Sequence, residues 1–78
     1  MDKEIISDIR NILKEDYQLH EASFSTDSNF KNDFGLDSLD IVEITLKLED
    51  KYHVHVSDED AARIDTVQDM ANAIINRL

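Results

Sequence analysis

Residues 33–52 read DFGLDSLDIVEITLKLEDKY. From Asp37 onward apolar residues recur every three or four positions, so the stretch is read as a helix running to about Tyr52. Asp37 is the expected N-cap, Ser38 the first helical position and Asp40 the acid of a capping box. A short acceptor at the cap and an acid three residues on satisfy each other's backbone N–H groups. Gly35, the only glycine in the chain, marks a place where the backbone takes a positive φ or passes close to a neighbour.

On a helical wheel with Ser38 at zero, Glu43, Lys47, Asp40, Asp50 and Lys51 fall between roughly 120° and 220°. Most of the remaining arc is apolar, interrupted chiefly by Thr45 and Glu49. A surface helix of a small bundle needs an apolar stripe only somewhat wider than about 100°, so this helix has apolar surface to spare. Ile41, Ile44, Leu48 and Tyr52 are assigned to the interior, leaving Leu39, Val42 and Leu46 as a flank bordered by Glu43, Glu49 and Asp50. Two readings of that flank stand on periodicity alone. Either it is an exposed docking strip, with acids to steer a basic partner and apolar groups to supply desolvation, or the preceding loop covers it.

Working outward, Ile5, Ile6, Ile9, Ile12 and Leu13 predict a first helix over about residues 3–16 with Asp2 as N-cap. The segment YQLHEASFSTDSNFKNDFGL has no sustained period, and a loop of that length is usually functional. Phe24, Phe30 and Phe34 are expected to pin it to the core. HVHV at 53–56 is read as an extended connector, because a single strand has no partner. Ser57 with Asp60 and Thr66 with Asp69 suggest two further capping boxes. They would open a short helix near 58–63 and a last helix from about 67, whose apolar stripe is Val67, Met70, Ala71, Ile74, Ile75 and Leu78. The expected fold is all-α: a small four-helix bundle of three longer helices and one short third helix, with a long loop between helices one and two, in a single domain over 1–78.

The 78-residue chain leaves little room for a deep catalytic cleft, since a domain near this size buries only about 60% of its unfolded surface. It has no cysteine, so any thiol must be supplied from outside. Eighteen Asp and Glu against eight Lys and Arg give a net charge of −10, which disfavours nucleic acid and anionic membranes and favours basic protein partners. With no apolar run long enough to span a bilayer and no secretory signal, the expected compartment is the cytoplasm and no membrane insertion is expected. Hydrophobic residues at 41%, in periodic order, argue for a folded domain rather than acidic disorder.

DFGLDSLDIVEITLKLEDKY, continued by VSDEDAARIDTVQDM, resembles the acyl carrier proteins of fatty acid and polyketide synthesis. The likeness rests on a glycine three residues before the serine, a D-S-L triplet, an acidic second helix, a short third helix and a T-V start to the fourth. The resemblance implies a carrier, not an enzyme. Ser38 would take 4′-phosphopantetheine from coenzyme A, and the thiol of that arm would hold acyl groups as thioesters for fatty acid or polyketide enzymes. It further implies that Asp37, Leu39, Asp40, Glu43, Leu46, Glu49 and Asp50 contact partner enzymes, with Asp58 and Ile64 near the third helix. Val42 completes the strip drawn from the wheel. The acyl chain would be sheltered by Ile44, Leu48, Ile64 and Ala71. Implied partners are a basic-surfaced phosphopantetheinyl transferase, acyltransferases, ketosynthases and other acyl-processing enzymes, and the chain itself is expected to be a monomer. Phe34 and Leu36 beside the glycine, Lys47 on the second helix and Ser57 depart from the commonest pattern, and the N-terminal third matches only as an amphipathic helix. Lys47, four residues after Glu43, is read as ordinary intrahelical support.

The other readings fare worse. His20, His53 and His55 are the only candidate bases for a serine hydrolase, and GLDSL lacks the second glycine of a G-x-S-x-G elbow. An EF-hand register from Asp27 puts Asn32 in the glycine position and Ser38 in place of the bidentate Glu, and His53 with His55 offers only two metal ligands, so no metal site is expected. The alternatives are a carrier of aminoacyl or D-alanyl groups, and an acidic helical interaction module in which Ser38 is unmodified.

Overall fold

The computed structural model describes residues 2–19 and 24–78. His20 lies outside the described residues. The helices are α1 (Asp2–Asp16), α2 (Ser38–Tyr52), α3 (Asp58–Ala62) and α4 (Val67–Ile75). They form the expected all-α bundle, with the long loop joining α1 to α2. Among the described residues the one β-type pairing is an isolated antiparallel bridge between Asn29 and Thr66, so 53–56 is a connector. None of these helices is long and apolar enough to cross a membrane.

The predicted stripes meet in one core. Ile5, Ile9 and Leu13 come from α1, Ile41, Ile44 and Leu48 from α2, and Val67, Met70, Ala71 and Ile74 from α4. Phe30, Leu36, Val56 and Ile64 enter from the connections, whereas α3 buries no residue of its own. Thr45, which interrupts the apolar arc of α2, is buried too. Its hydroxyl donates to the Ile41 carbonyl at 2.8 Å, so this buried hydroxyl is satisfied within its own helix.

Three local expectations are corrected. Asp2 is the first helical residue of α1, not its cap. Leu78 lies beyond α4 and is exposed, because the helix ends at Ile75. At α3 only half a capping box forms: Ser57 accepts from the Asp60 N–H, but the Asp60 carboxylate turns to Arg77 instead of back to the cap. Thr66 and Asp69 make the full reciprocal pair.

The long loop is fixed by what α4 leaves unsatisfied. A helix start has backbone N–H groups without intrahelical acceptors. Here Val67 donates to the Ser28 carbonyl at 3.0 Å and Gln68 to that of Thr26 at 2.9 Å, while Phe30 donates to Asp65 at 2.9 Å. These bonds hold the fully buried Phe30 in the core. Phe34 packs against Phe30 and stacks on Phe24 at 6.3 Å between ring centroids, and the Arg10 guanidinium covers Phe24. Past Phe34, Gly35 sits at φ +69 and reverses the chain so that Leu36 donates back to Phe30. Nothing lies within 4 Å of where a Cβ would stand, so the glycine serves the positive φ and not a close approach.

A polar seam joins α1 to α2. Tyr17 donates to Glu43 Oε2 at 3.2 Å, Lys47 pairs with Asp16, Lys51 meets Asp8 at 2.7 Å, and the Tyr52 hydroxyl donates to the other Asp8 oxygen. Lys47 therefore bridges two helices instead of supporting Glu43 within its own. The exposed Lys47–Asp16 pair contributes about 0–1 kcal/mol, so this end of the seam orients the helices more than it holds them together.

Partial burial and the Glu43 carboxylate push the Tyr17 hydroxyl up to about 12, with Asp40 and Asp37 adding to the effect. Burial and Asp8 raise Tyr52 as well. Folding thus favours the protonated phenols, and their contribution is complete below about pH 10, where a free tyrosine ionises. It is lost as pH rises from there through about 12. Tyrosinate absorbance in an alkaline titration should lag that of the free amino acid, and denaturant midpoints should fall over that same window. Tyr17→Phe should flatten part of the fall. For the core, Phe30→Ala should destabilise the fold by about 3–5 kcal/mol in chemical denaturation, because the loop cannot close over the cavity without breaking its bonds to α4.

Candidate functional site

Three constraints converge on Ser38. Gly35 turns the chain, Leu36 at 9% exposure anchors it in the core, and Asp37 in extended conformation caps α2. The capping box is complete: Asp40 N–H donates to Asp37 Oδ1 at 3.0 Å, and Asp37 N–H donates to Asp40 Oδ2 at 3.1 Å. Ser38 is then the first residue of the helix and is exposed, and its hydroxyl has no hydrogen-bond partner among the described residues. The result is an unshielded primary hydroxyl on a rigid element, beside the positive end of a helix dipole.

The flank beside it is uncovered. Leu39 is 72% exposed, Val42 43% and Leu46 56%, so the loop does not lie over them. These three are most of the large exposed apolar side chains among the described residues, and they stand on one face of α2. Asp37, Glu43 and Asp50 are exposed around the strip, Asp40 is half-buried, and Asp58 is exposed at the start of α3. Beyond Leu46 the strip runs into a shallow depression lined by Leu46, Glu49, Asp50, His53 and Val54.

Two members of the expected contact set sit elsewhere. Ile64 is 4% exposed and belongs to the core, because it follows the last turn of α3 inward, so it fits the interior set and not the surface set. The Glu49 side chain is only 12% exposed, since its carboxylate accepts from the Val56 N–H at 2.8 Å. Sequence reasoning missed that inward turn, although Glu49 lies one helical turn from buried Thr45 at the edge of the apolar arc. The expected interior set, Ile44, Leu48, Ile64 and Ala71, is buried in one cluster from α2, α4 and the α3–α4 connection.

His53 closes α2 in a left-handed conformation, and His55 Nδ1 faces Glu49 at 3.2 Å. Neither is near Ser38 in sequence, and no group of three or more acidic or histidine side chains among the described residues is placed to hold a metal ion.

The family model described as "Phosphopantetheine attachment site" matches residues 7–74, which is most of the chain and spans all the elements of the site. Among solved structures, the crystal structure of an acyl carrier protein from Thermotoga maritima superposes with a TM-score of 0.85 at 24% identity, covering 97% of this chain and 88% of that one. At that identity the superposition shows the shared fold, and the family model carries the kinship. The residues present suit such an arm, which needs a hydroxyl in reach of a modifying enzyme and a surface that tolerates a phosphodiester. The chain belongs to the phosphopantetheine attachment site family, that of the acyl carrier proteins, whose members carry acyl groups as phosphopantetheine thioesters and are not themselves enzymes.

Proposed function

We propose that Ser38 is the residue that takes the phosphopantetheine arm and that the chain carries acyl intermediates of fatty acid synthesis, presenting them along the Leu39–Val42–Leu46 strip. The observation that carries the first part is the exposed, unpartnered hydroxyl of Ser38 at the first position of a capped helix. Its oxygen would attack a phosphorus of coenzyme A, forming a phosphodiester and releasing the adenosine bisphosphate portion, with the hydroxyl proton passing to the transferase. The bound arm supplies the thiol that the cysteine-free chain lacks.

Several groups of the chain assist. The backbone N–H groups of the first turn of α2 and the helix dipole favour an anion at that position. Asp37 and Asp40 hold the turn rigid through their mutual cap. Leu39, Val42 and Leu46 offer desolvation to a partner, and Asp50 and Asp58, both exposed, offer steering charge to a basic-surfaced transferase or acyl-processing enzyme.

The fatty acyl cargo is favoured by the character of the interior. Ile44, Leu48, Ile64 and Ala71 are all apolar, and the buried polar residues among those described are Ser28 and Thr45, the latter bonded within α2. A hydrocarbon chain entering there would meet matching surface once the packed side chains moved apart. The ammonium group of an aminoacyl cargo would be buried without a partner, at a cost of several kcal/mol.

Incubating the chain with coenzyme A and a broad-specificity transferase should add the mass of one phosphopantetheine, and Ser38→Ala should abolish the gain. No gain with several transferases would leave an unmodified acidic adaptor as the reading. Mass analysis of the thioester on protein taken from its own cell should find a straight acyl chain, and an amino acid there would exclude fatty acid synthesis. Asp50→Lys should raise the transferase KM several-fold at low salt, with the difference shrinking as salt screens the surface.

A further inference from the structure

Four contacts converge on Glu49, which the family resemblance alone would place on the partner surface. Its backbone carbonyl accepts from the N–H groups of His53 and of Val54, the latter at 3.1 Å. Its carboxylate oxygen Oε2 accepts from the Val56 N–H at 2.8 Å and has His55 Nδ1 at 3.2 Å. The whole 53–56 connector is thus gathered on one side chain and its own carbonyl. Asp50, the next residue, is exposed and makes none of these bonds.

The consequence lies in α3. That helix has five residues and buries none of them, so it is too short and too poorly packed to fix its own position. Its place is set largely by what holds it from outside. Beyond its far end Ile64 is sunk in the core, Ala61 packs partly against that core, and in the middle of the helix the Arg77 guanidinium holds Asp60. At the near end Val56 is 4% exposed in the core, and Ser57, the N-cap, follows at once. Among the described residues, the side-chain acceptor for the Val56 N–H is Glu49.

We infer that Glu49 is a positioning residue: its carboxylate fixes the α2–α3 connector and so sets where α3, with Asp58 at its start, stands beside the exposed strip of α2. It acts on partner recognition through α3 and not by touching the partner. The inference deepens the carrier reading for its effect on partners, while the hold of Glu49 on Val56 is independent of Ser38.

The test uses the full chain with Glu49→Gln and Glu49→Ala. Glutamine keeps a side-chain acceptor of the same reach but no charge, so it separates hydrogen bonding from docking charge. By NMR on the unmodified protein, Glu49→Ala should speed exchange of the Val56 amide by about tenfold or more, and Glu49→Gln by no more than about threefold. The KM for modification by the transferase should follow the same order, with Glu49→Gln close to wild type and Glu49→Ala clearly raised. Equal KM increases in both variants would make Glu49 a docking charge and overturn the inference. Unchanged Val56 exchange in Glu49→Ala would overturn it as well, as would a released Val56 with no change of KM. Should Glu49→Ala fail to fold, Glu49→Asp, one methylene shorter, provides the same contrast with Glu49→Gln. Failure of wild type to accept the arm counts against the carrier reading alone, because the exchange rates judge the hold on Val56 without it.

Discussion

The structure depends on the joining of the long loop to the start of α4. That helix begins with N–H groups that need acceptors, and the loop supplies them from Thr26 and Ser28 while Phe30 enters the core two residues later. A connection of this length carries a considerable ordering cost, of order 1–2 kcal/mol per residue for the backbone. One buried aromatic and a few hydrogen bonds offset it only where they coincide, and here they fall within five consecutive residues. The direction in which the chain reaches Gly35 follows from that anchor, and so does the place where α2 starts. Ser38 is presented by the loop as much as by its own helix.

The second organising feature is how α2 sorts its charges. Both of its lysines turn to α1, where Asp16 and Asp8 neutralise them, and Tyr17 occupies Glu43 from the same side. The opposite flank keeps its acids free of cations of the same helix. An acidic helix carrying two lysines can therefore still show a partner a face of one sign, because the positive charges are already engaged elsewhere in the fold. Glu43 belongs to both sides, being exposed yet tied to Tyr17, so a partner that engages it competes with an internal bond while one that engages Asp50 does not.

Much of this was legible in the sequence, and the reason differs from element to element. The helices of the core could be read because Ile5, Ile9 and Leu13, or Val67, Met70, Ala71 and Ile74, repeat with the helical period that burial imposes. The cap of α2 could be read because Asp37 and Asp40 satisfy each other within four residues. Surplus apolar surface on α2 singled out Leu39, Val42 and Leu46 as a flank outside the core, but that the loop leaves it uncovered is seen only in the structure. What could not be read were bonds between segments distant in sequence. The Lys47–Asp16 pair spans 31 positions, so the local alternative with Glu43 looked better than it was. Asp60 likewise left its own cap for Arg77. Glu49 was read as a surface charge because charge is a property of the residue, whereas an inward role depends on where the connector brings Val56.

An arm on Ser38, as proposed, would place one more anion beside Asp37 and Asp40 on a chain whose net charge is already −10. Two unit charges a few ångströms apart in water repel by about 1 kcal/mol, less once salt screens them. The helix start returns about 0.3–1 kcal/mol to an anion placed there. The two carboxylates are moreover occupied by N–H donors of the cap, at 3.0 and 3.1 Å, which spread part of their charge into the backbone. Repulsion from the two carboxylates, about 2 kcal/mol before screening, exceeds what the helix start returns, and salt and the cap bonds narrow the gap, so a phosphodiester on Ser38 would cost the fold little. On the proposed reading, a small acidic bundle could thus accept or lose the arm without its stability deciding the matter.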